Sequence, residues 1–180
     1  MKLYIMRHGT TSWNEKGIIQ GVSSNRLSRT GVELVENRNK EYENVQIDLI
    51  FTSPIFRTVQ TANIMNKSHN VKIIRDERLR EIGQGVFTKR KKSSLTEEER
   101  YHKKMRDPLY GMESKESMYE RVKSFVDDIK VRYADKSILV ISHNIVTSTI
   151  EQYIKYGNLP VEELGSLDLY SNAEVRIFEL

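Results

Sequence analysis

Cysteine is absent from the 180 residues, which excludes disulfides, thiolate metal sites and a cysteine nucleophile and accords with a reducing compartment. Long apolar runs are missing as well, since no stretch approaches the roughly 20 residues that would cross a bilayer. Met1-Lys2-Leu3-Tyr4-Ile5-Met6 has neither the extended apolar core nor the small-residue cleavage site of a secretory leader. The expected location is therefore cytoplasmic. No internal repeat or low-complexity linker divides the chain, and its 180 residues suit one hydrophobic core better than two. A single domain over residues 1–180 is expected, with no part in a membrane.

Charge is abundant and unevenly placed. The net charge of +4 favours anionic ligands in general: phosphorylated metabolites, nucleic acid or an acidic membrane surface. Lys89, Arg90, Lys91, Lys92, Arg100, Lys103, Lys104 and Arg106 crowd one segment, opposed only by Glu97, Glu98 and Glu99. Residues 87 to 113 lack a strand pattern and are expected to form a helical or mobile cap-like insertion. The basic run has two readings, a solvated face or a patch that binds anions.

Elsewhere, short apolar runs alternate with helical spacing. Leu3 to Met6, Leu49 to Phe51, Val71 to Ile74 and Ile138 to Ile141 predict four buried strands. Ser28 to Lys40, Pro54 to Asn66, Glu116 to Arg132 and Asn144 to Lys155 predict helices, with Ser28 as a cap and Pro54 in a first turn. Ala173 to Phe178 alternates, as a half-exposed edge strand does. Strands interleaved with helices imply an α/β fold whose mostly parallel sheet is covered on both faces.

Ligands of such sheets bind beyond the carboxyl ends of the strands. The first run leads into Arg7-His8-Gly9, the second into Ser53-Pro54 with Arg57, and the fourth into Ser142-His143-Asn144. Two arginines and two histidines thus converge, with Glu81 within reach of the rim. Guanidinium groups repel a metal ion but match the oxygens of a phosphoryl group. A neutral imidazole can attack phosphorus, and a rim carboxyl can move the proton.

These residues resemble the histidine phosphatase superfamily, which also contains cofactor-dependent phosphoglycerate mutase. The resemblance rests on Arg7-His8-Gly9, Trp13-Asn14, Gln20-Gly21, Leu27-Ser28 with Gly31, Ser53-Pro54 with Arg57 and Gln60-Thr61-Ala62, Leu79-Arg80-Glu81-Ile82, and Ser142-His143. It implies a three-layer α/β/α sandwich. It also implies His8 as nucleophile, Arg7, Arg57 and His143 around the phosphoryl group, and Glu81 as proton donor. Asn14, Gln20 and Gly21 match positions that touch or close over the phosphate, and Asn144 follows the second histidine on the substrate side. For the hydrolases of the family it implies no metal and no organic cofactor.

Thr10, Phe87-Thr88-Lys89, Lys115 and Asn144 depart from the family pattern at positions that shape the rim. The bland alternatives are ion pairing of Glu81 with Arg78 or Arg80, and ordinary loop roles for Asn14 and Gln20. Trp13 is expected to pack, and His69 and His102 to be solvated. The expected partner is a small phosphorylated substrate rather than nucleic acid, in a monomer or homodimer. The expected activity is a phosphatase of the histidine acid phosphatase type. The competing readings are a mutase, whose family members carry longer insertions near the acid and the C-terminus, and a non-catalytic module binding anions or RNA.

Overall fold

The structure is a computed structural model that describes residues 1–157 and 169–180. Five strands, β1 (Lys2–Arg7), β2 (Leu49–Thr52), β3 (Lys72–Arg75), β4 (Ser137–Ser142) and β5 (Val175–Glu179), form one sheet in the order β3-β2-β4-β1-β5. β1 pairs with β4, β4 with β2 and β2 with β3 in parallel, while β5 closes the edge beside β1 antiparallel. Helices are α1 (Ser12–Glu15), α2 (Arg29–Tyr42), α3 (Phe56–His69), α4 (Glu97–Met105), α5 (Lys115–Arg132) and α6 (Asn144–Tyr156).

Alternation along the strands builds two cores. Leu3, Ile5, Phe51, Ile138 and Val140 face α5 and α6 through Val122, Phe125, Val146 and Ile150. Tyr4, Met6, Ile50, Leu139 and Ile141 face α2 and α3 through Val35, Ala62 and Met65. Side chains on opposite faces of each pleat therefore bind opposite helix layers, which is the three-layer sandwich. Burying an aliphatic side chain contributes about 1.5–3 kcal/mol, so the central strands, buried on both faces, are strongly fixed in register.

Several boundaries differ from the sequence expectation. β3 is not buried: as an edge strand its residues are half-buried or exposed. α3 starts at Phe56, two residues after Pro54, because Ile55 is still extended and no side chain caps it. Ala173 lies outside β5, held in a left-handed turn with its N–H at 3.1 Å from the Arg7 carbonyl. His102 is not solvated: its Nδ1 is 2.8 Å from Asp107 and its ring stacks on Tyr110 at 5.0 Å. Nor is His69 fully so, because its Nε2 is buried.

Residues 87 to 113 fold as helix α4 with flanking 3-10 turns. Thr96 and Glu99 form a capping box, three glutamates occupy the first turn, and His102, Lys103 and Lys104 the last, so charge complements the helix dipole at both ends. A small core of Phe87, Leu95 and Met112, joined by Ile19, anchors this cap to the loop after α1.

Candidate active site

The parallel register sets the site. Arg7 lies level with Ser142, and Thr52 with Ile141, so β1, β2 and β4 end together. Backbone bonds extend this alignment by one residue: His8 N–H donates to Ser142 at 3.0 Å and Ser53 N–H to Ile141 at 3.1 Å. His8, Ser53 and His143 consequently emerge side by side, and the two imidazole centroids are 5.3 Å apart.

Arg57, from the first turn of α3, lies between the rings with 1% of its surface exposed. Its Nε is 3.1 Å from His8 Nε2, and its Nη2 is 3.0 Å from His143 Nδ1. A guanidinium only donates, so both of those ring nitrogens accept. His8 must then carry its proton on Nδ1, which donates to the Gly9 carbonyl at 2.7 Å, and His143 on Nε2, 2.9 Å from the Ser53 hydroxyl. The remaining Arg57 donors reach the carbonyls of Ser23 and Gly21 and the side chain of Asn25.

Electrostatics match this tautomer assignment. Burial, then the Arg57 charge, holds both imidazoles well below the usual histidine range. Burial lowers Arg57 itself to about 10, so it stays charged at neutral pH. Burial pushes the Glu81 carboxyl up, partly offset by the N–H of Ile82 and by Arg57 and Arg7. Glu81 lines a cleft of about 430 Å³ with Arg80, Gly83, Met112, Glu113 and Arg121. Arg7 donates through Nη1 to the Tyr170 carbonyl at 2.6 Å, while its buried Nε meets no acceptor among the described residues.

Asn14 and Gln20 belong to a polar chain that ends on Arg57. Thr11 donates to Asn14 Oδ1 at 2.8 Å and to Gln20 Oε1 at 3.2 Å; Asn25 donates to the same Gln20 oxygen and accepts from Arg57. Gly21 has φ +48, and a Cβ there would lie 3.1 Å from Gln84, so the backbone approaches closely where its carbonyl meets Arg57. Asn144 opens α6, with its Oδ1 buried and unpartnered among the described residues. Lys89, Lys91, Lys92 and Lys104 stay exposed and Arg90 is spent on Glu99, whereas Lys103 is half-buried, its amine lowered by burial, and Arg106 donates to the carbonyls of Glu113 and Gly83; the cap reaches the cleft through Gly111, Met112 and Glu113.

Sequence reasoning missed the supports of the site. Asn25, Tyr170 and Asn172, which donates to the His8 carbonyl at 3.0 Å, hold Arg57, Arg7 and the His8 backbone, and Ser53, legible only as part of the Ser53-Pro54 motif, holds His143. No group of three or more His, Asp or Glu is placed to hold a metal ion among the described residues, and none of their helices is long and apolar enough to cross a membrane.

Residues 3–180 match the profile of the histidine phosphatase superfamily, branch 1. The chain is 28% identical over 151 residues to phosphoserine phosphatase 1 of Hydrogenobacter thermophilus, covering 81% of this chain and 72% of that protein. It is 33% identical to a probable phosphoglycerate mutase of Yersinia enterocolitica, covering 81% and 70%. YhfR of Bacillus stearothermophilus superposes with a TM-score of 0.86 at 27% identity, over 98% of this chain and 89% of that one. A match over nearly the whole length, on a sheet that brings Arg7, His8, Arg57 and His143 together, makes this chain a member of the histidine phosphatase superfamily.

Proposed function

We propose that the protein is a phosphoric monoester hydrolase that passes the phosphoryl group of a small substrate through His8 to water. The observation that carries this is the His8 ring: its Nδ1–H is held by the Gly9 carbonyl, so the lone pair of Nε2 points toward the buried Arg57. Burial keeps that ring neutral and nucleophilic.

In the first step the Nε2 lone pair forms the N–P bond while the ester P–O bond breaks. Glu81, whose carboxyl burial pushes toward the protonated form, gives its proton to the leaving oxygen. Arg7 and Arg57 offset the charge on the phosphoryl oxygens, Arg57 by exchanging some of its present acceptors for them. In the second step water attacks phosphorus, the N–P bond breaks, and the Glu81 carboxylate takes the water proton. His143, fixed by Ser53, remains a hydrogen-bonding wall of the site. Asn14, Gln20, Gly21 and Asn144 are assigned to the rim that closes on the substrate.

Rapid quench into alkali followed by peptide mass analysis is expected to place an acid-labile phosphate on His8. Phosphate on another residue, or full activity in His8→Ala, overturns the reading. The relatives named phosphoglycerate mutase support a second reading, return of the phosphoryl group to a bound product. Hydrolysis is favoured by the phosphatase relative and by the short stretch from Glu81 to α5. Conversion of 3-phosphoglycerate to 2-phosphoglycerate, primed with bisphosphoglycerate and faster than phosphate release, would reverse that preference.

A further inference from the structure

If the phosphoryl group lies at His8 and its leaving oxygen at Glu81, the rest of the substrate extends into the cleft that Glu81 lines. The charges there are not equally available. Arg121 is spent: Nε and Nη2 reach the two carboxylate oxygens of Glu113 at 2.8 and 3.2 Å, and Nη1 the Arg78 carbonyl at 2.6 Å. Glu113 is spent as well, because it also accepts from the Gly83 N–H at 2.7 Å. Arg80 differs. Among the described residues its guanidinium donates only to Glu77, at 3.3 Å, and the two side chains are 45% and 72% exposed. A solvated pair of that kind is readily exchanged. Arg80 also stands where the main cleft meets a second, shallower one lined by Ser24, Pro54 and Phe56, since Val22, Glu77 and Arg80 border both.

We infer that Arg80 is a specificity-determining residue that binds a second anionic group, a carboxylate or a phosphate, on the leaving portion of the substrate. This rests on the hydrolase reading above. The planar fork of a guanidinium suits either group. Glu77, nearly free in solvent, swings out as the substrate anion replaces it, whereas the Arg121–Glu113 pair keeps the cleft wall rigid. The exposed Lys89, Lys91 and Lys92 of the cap line neither cleft.

The test compares kcat/KM within two pairs, 3-phosphoglycerate against glycerol 3-phosphate and fructose 1,6-bisphosphate against fructose 6-phosphate. The first pair reports a carboxylate and the second a phosphate. Wild-type protein is expected to prefer the member with the second anionic group in at least one pair. Arg80→Gln is expected to lower that preference about tenfold, the size of one lost charge-assisted hydrogen bond, and Arg80→Glu to lower it further. Glu77→Gln, which frees Arg80, is expected to raise it, an effect that misfolding does not mimic. No preference in either pair for the member with the second anionic group, or a ratio unmoved by Arg80→Glu and Glu77→Gln, overturns the inference. Turnover of p-nitrophenyl phosphate that is lost in His8→Ala keeps the two readings separate: its absence defeats the hydrolase reading, whereas its presence with unmoved ratios defeats only the role of Arg80.

Discussion

Arg57 touches both imidazoles at once, and no other geometry of a cation at that position would do so. A lysine offers one mobile ammonium where the guanidinium offers donors fixed in a plane, so it cannot reach His8, His143 and the Gly21 carbonyl together. Arg57→Lys is therefore expected to lower kcat/KM by about a hundredfold or more, measured with p-nitrophenyl phosphate at saturating and limiting concentrations. Near-normal kinetics would show that the fork is unnecessary. Glu81 makes a second prediction through its raised carboxyl. In the proposed mechanism the acid form is the donor, so activity on an alkyl phosphate is expected to be lost as pH rises through the folded value of Glu81. Glu81→Gln is expected to cost such a substrate about a hundredfold, to cost p-nitrophenyl phosphate much less because its phenolate leaves unaided, and to remove the alkaline limb of the pH profile. Equal losses on both esters would assign Glu81 a structural role. At this scale the sequence shows the chemistry and hides the supports. Arg7, His8, Arg57 and His143 can be read because each follows an apolar run at a strand end. Tyr170 and Asn172 cannot, since they act through a carbonyl and a side-chain amide brought back by more than 160 residues of intervening chain.

Among the elements, α2 bears on the loop after His8 more closely than its sequence suggests. A Cβ on Gly31 would lie 1.9 Å from the Thr10 carbonyl oxygen, and one on Gly9 would lie 2.5 Å from Val35. The first turn of α2 thus packs directly on the loop that follows His8, and Ser28 N–H donates to the same Thr10 carbonyl at 2.9 Å. Gly31→Ala is expected to destabilise the fold by about 1–3 kcal/mol through overpacking, read as a lower urea midpoint. Activity should fall with it, because the backbone that must yield carries His8. An unchanged midpoint would mean that helix and loop can part without cost. The four main helices and the central strands were legible because their apolar spacing is long and regular. The errors lie where spacing carries no information: Ala173 keeps the alternation of β5 but occupies a turn, and Pro54 suits a first turn that begins two residues later. α4 had a readable start in Thr96-Glu97-Glu98-Glu99, yet its lack of an apolar face left it undefined within the cap.

For the whole molecule, burying ionisable groups at the site makes stability depend on pH in a window set by those groups. His8 and His143 are held well below the ordinary value of 6.5, so near that pH the unfolded chain takes up protons that the native state refuses. Stability then rises with pH through this range and is lost as pH falls below it. Glu81 acts in the opposite sense: raised above 4.5, it keeps a proton in the native state that the unfolded chain has released, and so it destabilises the fold as pH rises through its folded value. Carboxylates held low by their partners, such as Asp48 and Asp127, enter only at more acid pH. Between about pH 5 and 7, His8 and His143, joined by His69, which burial also lowers, therefore oppose one glutamate, and the histidines should win. Urea midpoints are expected to increase from pH 5 to pH 7 in the wild type, to increase more steeply in Glu81→Gln, and to flatten in a His8→Asn, His143→Asn double variant. Asparagine keeps a polar side chain in the cavity while removing the titration, so the slope rather than the absolute midpoint carries the result. A slope undiminished in the double variant would locate the pH dependence outside the site and would remove the burial of His8 and His143 as its cause.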